Sequence, residues 1–340
     1  MRVADYVANF LVEKGIKHVF LITGGGAMHL NDAFAREPRL SVVCNHHEQA
    51  SAISAEAYCR YSGEMAALNV TTGPGGVNAL NGVYGAYVDS IAMFVVSGQV
   101  KRETIAGEVD LPLRQLGDQE VDIVSMSAPV TKYSVLISDP SDIGYELEKA
   151  YKIATEGRPG PVWLDIPIDV QAAKIDPDKL KKFNGSNKDS LQNEDWRGGL
   201  YELSERASLL AKASEIIGLI KSAKRPVILV GTGIRISKST KLFDRIADKL
   251  SIPVVTGWNA HDLVADDNPC FAGRPGTVGT RPGNFAVQRA DLVLVLGCRL
   301  NVRQISYNFE SFAQSAYRIM VDIDGAELQK PTLKLDMAVK

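Results

Sequence analysis

The chain has only four cysteines, Cys44, Cys59, Cys270 and Cys298, and no two of them form a Cys-X-X-Cys pair. That spacing argues against a zinc ribbon and against a disulfide-framed secreted fold. All four lie in or beside apolar segments, so buried free thiols in a reducing compartment are expected, which points to a cytoplasmic protein. An excess of one charge is lacking too. Lys+Arg 38 against Asp+Glu 40 leaves a formal net charge of -2, with no global basic field to hold a nucleic-acid backbone or an anionic membrane. Long apolar runs are absent. Residues 91–96 and 292–296 are strand-length, and the first twenty residues carry charges every few positions. Neither a signal peptide nor a membrane span is expected.

What is present is an ordinary globular composition, 45% hydrophobic, 23% charged and 7% aromatic, which excludes whole-chain disorder, collagen and coiled coil. At roughly 150 residues per domain, the length predicts two domains. Val3, Tyr6, Val7, Phe10 and Leu11 fall on one helical stripe. Strands are expected over 18–23, 40–44, 65–72, 91–97 and 161–166, with helices over 47–61 and 77–89. Runs such as AMFVV and PVWLDI suit parallel strands covered on both faces. Residues 173–205 are polar and rich in Asn, Ser and Gly, and read as a linker. Strands over 226–230, 253–256, 292–296 and 318–322 and a helix over 242–250 follow. The expectation is therefore an α/β chain of two doubly wound, mainly parallel-sheet domains, 1–172 and 206–340.

Five short motifs sit where strands are expected to end. Cys44-Asn45-His46-His47-Glu48-Gln49 puts a carboxylate at a strand-to-helix junction, the usual ligand crevice of an open sheet. Asn45 as N-cap with Glu48 at N3 of a capping box explains the same residues structurally. A metalloprotease reading fails, because Ser51 stands where a second histidine is needed. Thr71-Thr72-Gly73-Pro74-Gly75-Gly76-Val77-Asn78 and Thr23-Gly24-Gly25-Gly26 are glycine-rich turns. Such turns let a ligand approach backbone at a helix N-terminus, or simply turn the chain. No Gly-Lys-Ser/Thr follows, so neither is a Walker loop. Gly231-Thr232-Gly233 lacks the third glycine of a dinucleotide fingerprint, since position 236 is Ile. Prolines flanking Val162-Trp163-Leu164-Asp165-Ile166 fix the ends of a strand.

In order and spacing these segments resemble the thiamine-diphosphate-dependent enzymes of the acetolactate synthase type. The carrying stretches are GIKHVFLITGGGAM, CNHHEQASAISAEAYCR, VTTGPGGVNALNGVYGAYVDSIAMFVVSGQV, QEVDIV, APVTKYS, GRPGPVWLDIPIDVQ, ADLVLVLGCRL and VDIDGAELQK. The resemblance is nearest to members associated with surface-polysaccharide or sugar biosynthesis. It implies a pyrimidine-binding domain followed by a Rossmann-like central domain. By it Glu48 hydrogen-bonds N1′ of the cofactor's aminopyrimidine and promotes loss of the thiazolium C2 proton, and Gln119 lies on the substrate side. Gly24, Gly25, Gly26, Thr72, Gly73, Pro74, Gly75 and Asn78 line the pyrimidine crevice. It further implies a 2-oxo acid substrate, decarboxylation followed by protonation or carboligation, and a homodimer or homotetramer.

The sequence also departs from that family. Asp118 precedes the Gln119-Glu120 pair where a phenylalanine often stands, and Thr23 or Gly24 occupies the place of a proline, which puts acetolactate as product in doubt. The Gly-Asp-Gly…Asn segment that holds Mg2+ on the diphosphate is not found; Gly117-Asp118-Gln119 stands in the wrong domain. The expectation is a fragment whose diphosphate-binding domain lies in cis or on a second subunit. Two other readings are a non-catalytic scaffold or regulatory subunit, and a flavin (FAD) or nucleotide binder using Gly297, Arg299 and Arg303 of the central domain.

Overall fold

The computed structural model describes residues 1–183 and 204–340. The chain divides into two compact units, Met1–Trp196 and Arg197–Lys340. Residues 173–183 of the expected linker pack on the first unit: Lys174 bridges Arg2, and the Ile175 amide donates to the Met1 carbonyl at 2.9 Å. Residues 184–203 of that linker lie outside the described residues, and a helix begins at Ser204.

The first unit is built on six parallel strands, β1 His18–Leu21, β2 Ser41–Cys44, β3 Ala67–Val70, β4 Phe94–Gln99, β5 Tyr133–Leu136 and β6 Val162–Pro167, in the order β2-β1-β3-β4-β6-β5. Every residue of β3, β4 and β6 is buried, as expected of strands with helices on both faces. On one face the helix Val3–Glu13 buries Val3, Val7, Phe10 and Leu11 of the expected stripe, while Tyr6 stays half-buried. On the other face Ala52 and Ala55 of the helix Glu48–Ser62 and Ala79, Val83 and Ala86 of the helix Pro74–Val88 pack with Leu68, Val95 and Trp163.

Those two helices cross closely. A Cβ on Gly82 would lie 2.6 Å from the Ala52 Cβ and 2.8 Å from its carbonyl carbon, so only glycine allows the crossing. Counting back one helical turn from each crossing residue gives Asn78 and Glu48, and the crossing brings these together.

The second unit has β7 Pro226–Val230, β8 Val254–Thr256, β9 Phe271–Gly273, β10 Leu292–Leu296, β11 Tyr317–Val321 and β12 Met337–Val339. The order is β12-β11-β10-β7-β8-β9 and every strand pair is parallel. Read from β9, the order in units of this domain is 3-2-1-4-5-6, the dinucleotide-fold arrangement. Both units are α/β and doubly wound, as the alternation in the sequence implied. The edge strands β5, β9 and β12 were not expected from sequence.

The four cysteines do not share one environment. Cys59 and Cys298 are buried, Cys270 is intermediate, and Cys44 is exposed at the end of β2, contrary to the expectation of four buried thiols. Burial pushes the Cys59 thiol up to about 12 and that of Cys298 to about 11. No described helix is long and apolar enough to cross a membrane.

The helix crossing yields a paired test. Gly82→Ala should destabilise the protein by about 1–3 kcal/mol through overpacking. Gly85→Ala, three residues on, meets nothing within 4 Å and should be neutral or stabilise by about 0.5–1 kcal/mol. Urea denaturation of both variants measures the difference; equal effects would remove the crossing as the constraint.

Candidate active site

In an open parallel sheet, ligands bind beyond the carboxyl ends of the strands where the strand order reverses. In the first unit that reversal lies between β1, which neighbours β2, and β3. The two glycine-rich turns leave these strands and meet there. A Cβ on Gly24 would lie 2.4 Å from the Thr71 Cβ, and the Gly26 amide donates to Thr71 Oγ1 at 3.0 Å. Gly25 faces open space. Behind this loop a Cβ on Gly98 of β4 would stand 2.1 Å from the Gly26 carbonyl oxygen. The buried Gln171 donates to that same oxygen at 2.7 Å.

The second turn is strained in a way that requires glycine. Gly73 has φ 60 and ψ -117, a backbone that side chains disfavour. A Cβ on it would stand 1.9 Å from the Gln119 carbonyl oxygen. Pro74 takes the first helical position, where its missing N–H leaves nothing unpaired. Gln119 itself is exposed with φ 60. Its loop is stapled by Glu120, whose carboxylate accepts from the amides of Ala106 at 2.5 Å, Leu116 at 2.9 Å and Gly117 at 3.1 Å. The fold thus places Gln119 beside Gly73, far from it along the chain.

Glu48 is half-buried and begins its helix. The capping-box alternative does not form. His47 is the N-cap, its Nδ1 accepting from the Gln49 amide at 3.1 Å, and Asn45 instead donates to Ser54 Oγ at 3.3 Å. The Glu48 carboxylate points across the helix crossing. Asn78 Nδ2 donates to Oε2 at 3.0 Å, and Oε1 lies 3.7 Å from where a Cβ on Gly75 would stand. No hydrogen bond is made to Oε1 among the described residues. Position and chemistry leave that oxygen one free acceptor edge beside two loops whose glycines close on the Thr71 side chain, with Gly25 facing open space. Such a cradle fits a flat heteroaromatic ring with a ring nitrogen near the carboxylate.

Several polar residues behind the cleft were not singled out from sequence. Asn31 donates to Asn69 Oδ1 at 2.5 Å and accepts from the Gly24 amide at 3.3 Å, which ties the first loop to β3. Thr72 Oγ1 donates to Gln99 Oε1. Gln99 donates to Asp165 Oδ2 at 2.9 Å, Ser97 donates to Asp165 Oδ1 at 2.5 Å, and the Trp163 indole N–H donates to Ser97 Oγ at 2.7 Å. The available signal was a polar residue inside a strand buried on both faces: Asn69 in ALNV, Ser97 and Gln99 in FVVSGQ, Asp165 in VWLDIP.

The glycines of the second unit have a packing explanation. A Cβ on Gly231 would lie 2.3 Å from the Gly297 oxygen, and one on Gly233 2.6 Å from the Gly297 Cα. They let the loops after β7 and β10 touch. Arg303 stacks over Trp258 at 5.5 Å, and the Arg299 carbonyl accepts from Lys330 Nζ. Among the described residues no group of three or more His, Cys, Asp or Glu is arranged to hold a metal ion.

This architecture is that of a cofactor-dependent α/β enzyme family. Residues 1–126 match the thiamine pyrophosphate enzyme, N-terminal TPP binding domain, and residues 213–339 match the thiamine pyrophosphate enzyme, central domain. The chain belongs to the thiamine pyrophosphate enzyme family. Among its relatives it is 32% identical over 332 residues to a probable acetolactate synthase large subunit of Methanocaldococcus jannaschii, covering 97% of this chain and 52% of that one. It is 31% identical over 331 residues to the acetolactate synthase isozyme 1 large subunit of Escherichia coli, covering 96% and 53%. With the acetolactate synthase large subunit of Lactococcus lactis the figures are 32% over 336 residues, 99% and 54%. The chain spans about half the length of the curated relatives it matches.

The buried Asp165 generates a pH prediction. Burial, reinforced by the Asp122 charge and opposed by hydrogen bonds from Ser97 and Gln99, pushes its carboxyl up to about 7. The folded state therefore holds this proton more tightly than the unfolded chain. Its contribution to stability is complete below the unfolded carboxyl range and is lost as pH rises to about 7. Asp165→Asn should remove a fall of up to about 1.4 kcal/mol per pH unit between roughly pH 4 and 7. Urea midpoints taken across that range compare the two proteins; parallel curves would refute the titration.

Proposed function

We propose that the protein acts as the pyrimidine-binding and central part of a thiamine-diphosphate-dependent enzyme of the acetolactate synthase type, with a 2-oxo acid as substrate. The observation that carries this reading is the Glu48–Asn78 hydrogen bond, which aims a carboxylate with one free acceptor edge at the glycine cleft. When bound, thiamine diphosphate supplies a carbon nucleophile and an electron sink for decarboxylation. Glu48 would hold a proton at N1′ of the aminopyrimidine, and Asn78 would orient the carboxylate by occupying its other oxygen. The Gly24–Gly26 loop and the Gly73–Gly75 turn would cover the ring faces with backbone alone and exclude water. Gln119, beside Gly73, would face the substrate. The diphosphate and its Mg2+ would be held by a segment other than these two units, in cis or on a partner subunit. Whether decarboxylation would end in protonation or in addition to an acceptor carbonyl follows from the acceptor, and the Asp118 position bears on that choice.

Glu48→Gln in the complete enzyme tests the assignment. The amide is nearly isosteric and supports the helix start, but it cannot carry the proton to N1′. Hydrogen–deuterium exchange at C2 of bound thiamine diphosphate should slow on the order of 10²-fold or more, with the urea midpoint unchanged. Exchange close to the wild-type rate would take Glu48 out of the catalytic role.

A homodimer or homotetramer is part of this reading. Ile53 and, on the neighbouring helix, Val77, Tyr84 and Tyr87 expose apolar surface on the two crossing helices, and such a patch favours self-association. Light scattering of the complete enzyme should give at least a dimer at micromolar concentration, and Tyr84→Glu should shift it toward monomer. A wild-type monomer would contradict the assembly.

A further inference from the structure

We propose that Gln99, anchored on the buried Asp165 carboxyl, is a positioning residue that sets the spacing between the two walls of the cleft, the Thr72–Gly73 turn and the segment from Gln119 to Val121. Gln99, Asp165 and Ser97 are 3%, 1% and 1% exposed, so none of them reaches a ligand directly. Two backbone groups fix the orientation of the Gln99 amide. The Val100 N–H donates to Oε1 at 3.0 Å, and Nε2 donates to the Val121 carbonyl at 3.0 Å. With Oε1 so assigned, the Thr72 hydroxyl must be the donor in its hydrogen bond to that oxygen. The remaining Nε2 hydrogen goes to Asp165 Oδ2. One side chain thereby holds both walls, and its own rotation is blocked by the carboxyl behind it.

The spacing matters because the walls touch. The Gly73 backbone lies against the Gln119 carbonyl with no room for a Cβ, so a loosened Val121 tether would let the Gln119 segment lift from the turn. An Asp165→Asn substitution keeps the tether. The oxygen of the new side-chain amide accepts from Gln99, and its nitrogen donates to Ser97 Oγ, whose own hydrogen rotates away. A purely electrostatic role for Asp165 would not survive that change.

The inference rests on the proposed function only in treating the cleft as a cofactor site; the spacing is read without cofactor. Amide exchange followed by mass spectrometry on the 340-residue chain tests it. The hydrogen-bonded amides of Gly75 and Val77 report the turn, and those of Glu120 and Ile123 report the other wall. Gln99→Met should speed exchange about tenfold or more in both segments while β1 stays within about twofold of wild type. Asp165→Asn should leave both segments within about twofold. Thr72→Val, which removes one hydroxyl, should loosen the turn alone. An unchanged rate at both walls in Gln99→Met, a uniform rise that includes β1, or loosening in Asp165→Asn equal to that in Gln99→Met would overturn the proposal. If Gln99→Met does not fold, Thr72→Val decides: no faster exchange at Gly75 and Val77 overturns it. C2 exchange in Glu48→Gln reads the proposed function separately, so the two claims fail independently.

Discussion

The close crossing of the helices Glu48–Ser62 and Pro74–Val88 at Gly82 and Ala52 is the constraint on which the rest of the cleft depends. Helix axes carrying ordinary side chains stand about 8–10 Å apart. A glycine facing an alanine backbone lets the helices approach more closely than that, and their N-termini are drawn to one place. The carboxylate at the start of one helix then meets the Asn78 amide, one turn into the other. A parallel sheet adds the second condition, since it delivers every strand exit to the same edge. Both glycine-rich turns arrive at that edge beside the carboxylate.

A second layer of design lies underneath. The turns are hydrogen-bonded to Asn31, Gln99 and Gln171, residues held in strands or helices rather than in the loops themselves, and Asn69 in β3 holds Asn31 from behind. Burying these groups is unfavourable unless each is paired. Their pairing fixes loops that would otherwise sample many conformations, and the favourable term goes into rigidity of the two turns that border the cleft. The Asp165 carboxyl is the extreme case, a buried acid whose proton affinity is raised by burial although the hydrogen bonds from its neutral donors pull the other way.

The sequence made the alternation of strands and helices legible because the central strands are mainly apolar on both faces and glycine-rich or proline-bearing turns follow several of them. It misplaced the fourth strand. The apolar run begins at Ile91, yet the strand spans Phe94–Gln99. A hydrophobic pattern stops at the first polar residue, whereas Ser97 and Gln99 remain in the sheet because Asp165 and Thr72 satisfy them. The edge strands β5, β9 and β12 were missed for the opposite reason: each pairs on one side only, and β9 and β12 are three residues long. Of the site, Glu48 and the two glycine turns were visible as motifs. The capping-box alternative for Glu48 fell to His47 taking the N-cap, and the pairing of Glu48 with Asn78 was hidden because the periodicity of one helix carries no information about which helix it crosses. The supporting polar residues were hidden inside strands, where a single hydrophilic letter is easily read as noise.

The exposure of Cys44 has a practical consequence. Its thiol stands at the end of β2, four positions before Glu48, and it is the exposed member of the four cysteines. Cys59 and Cys298 hold their protons too tightly to compete at neutral pH. With the half-exposed Cys270 replaced, a thiol-directed fluorophore or spin label would therefore report from the end of β2, on the same chain segment as Glu48.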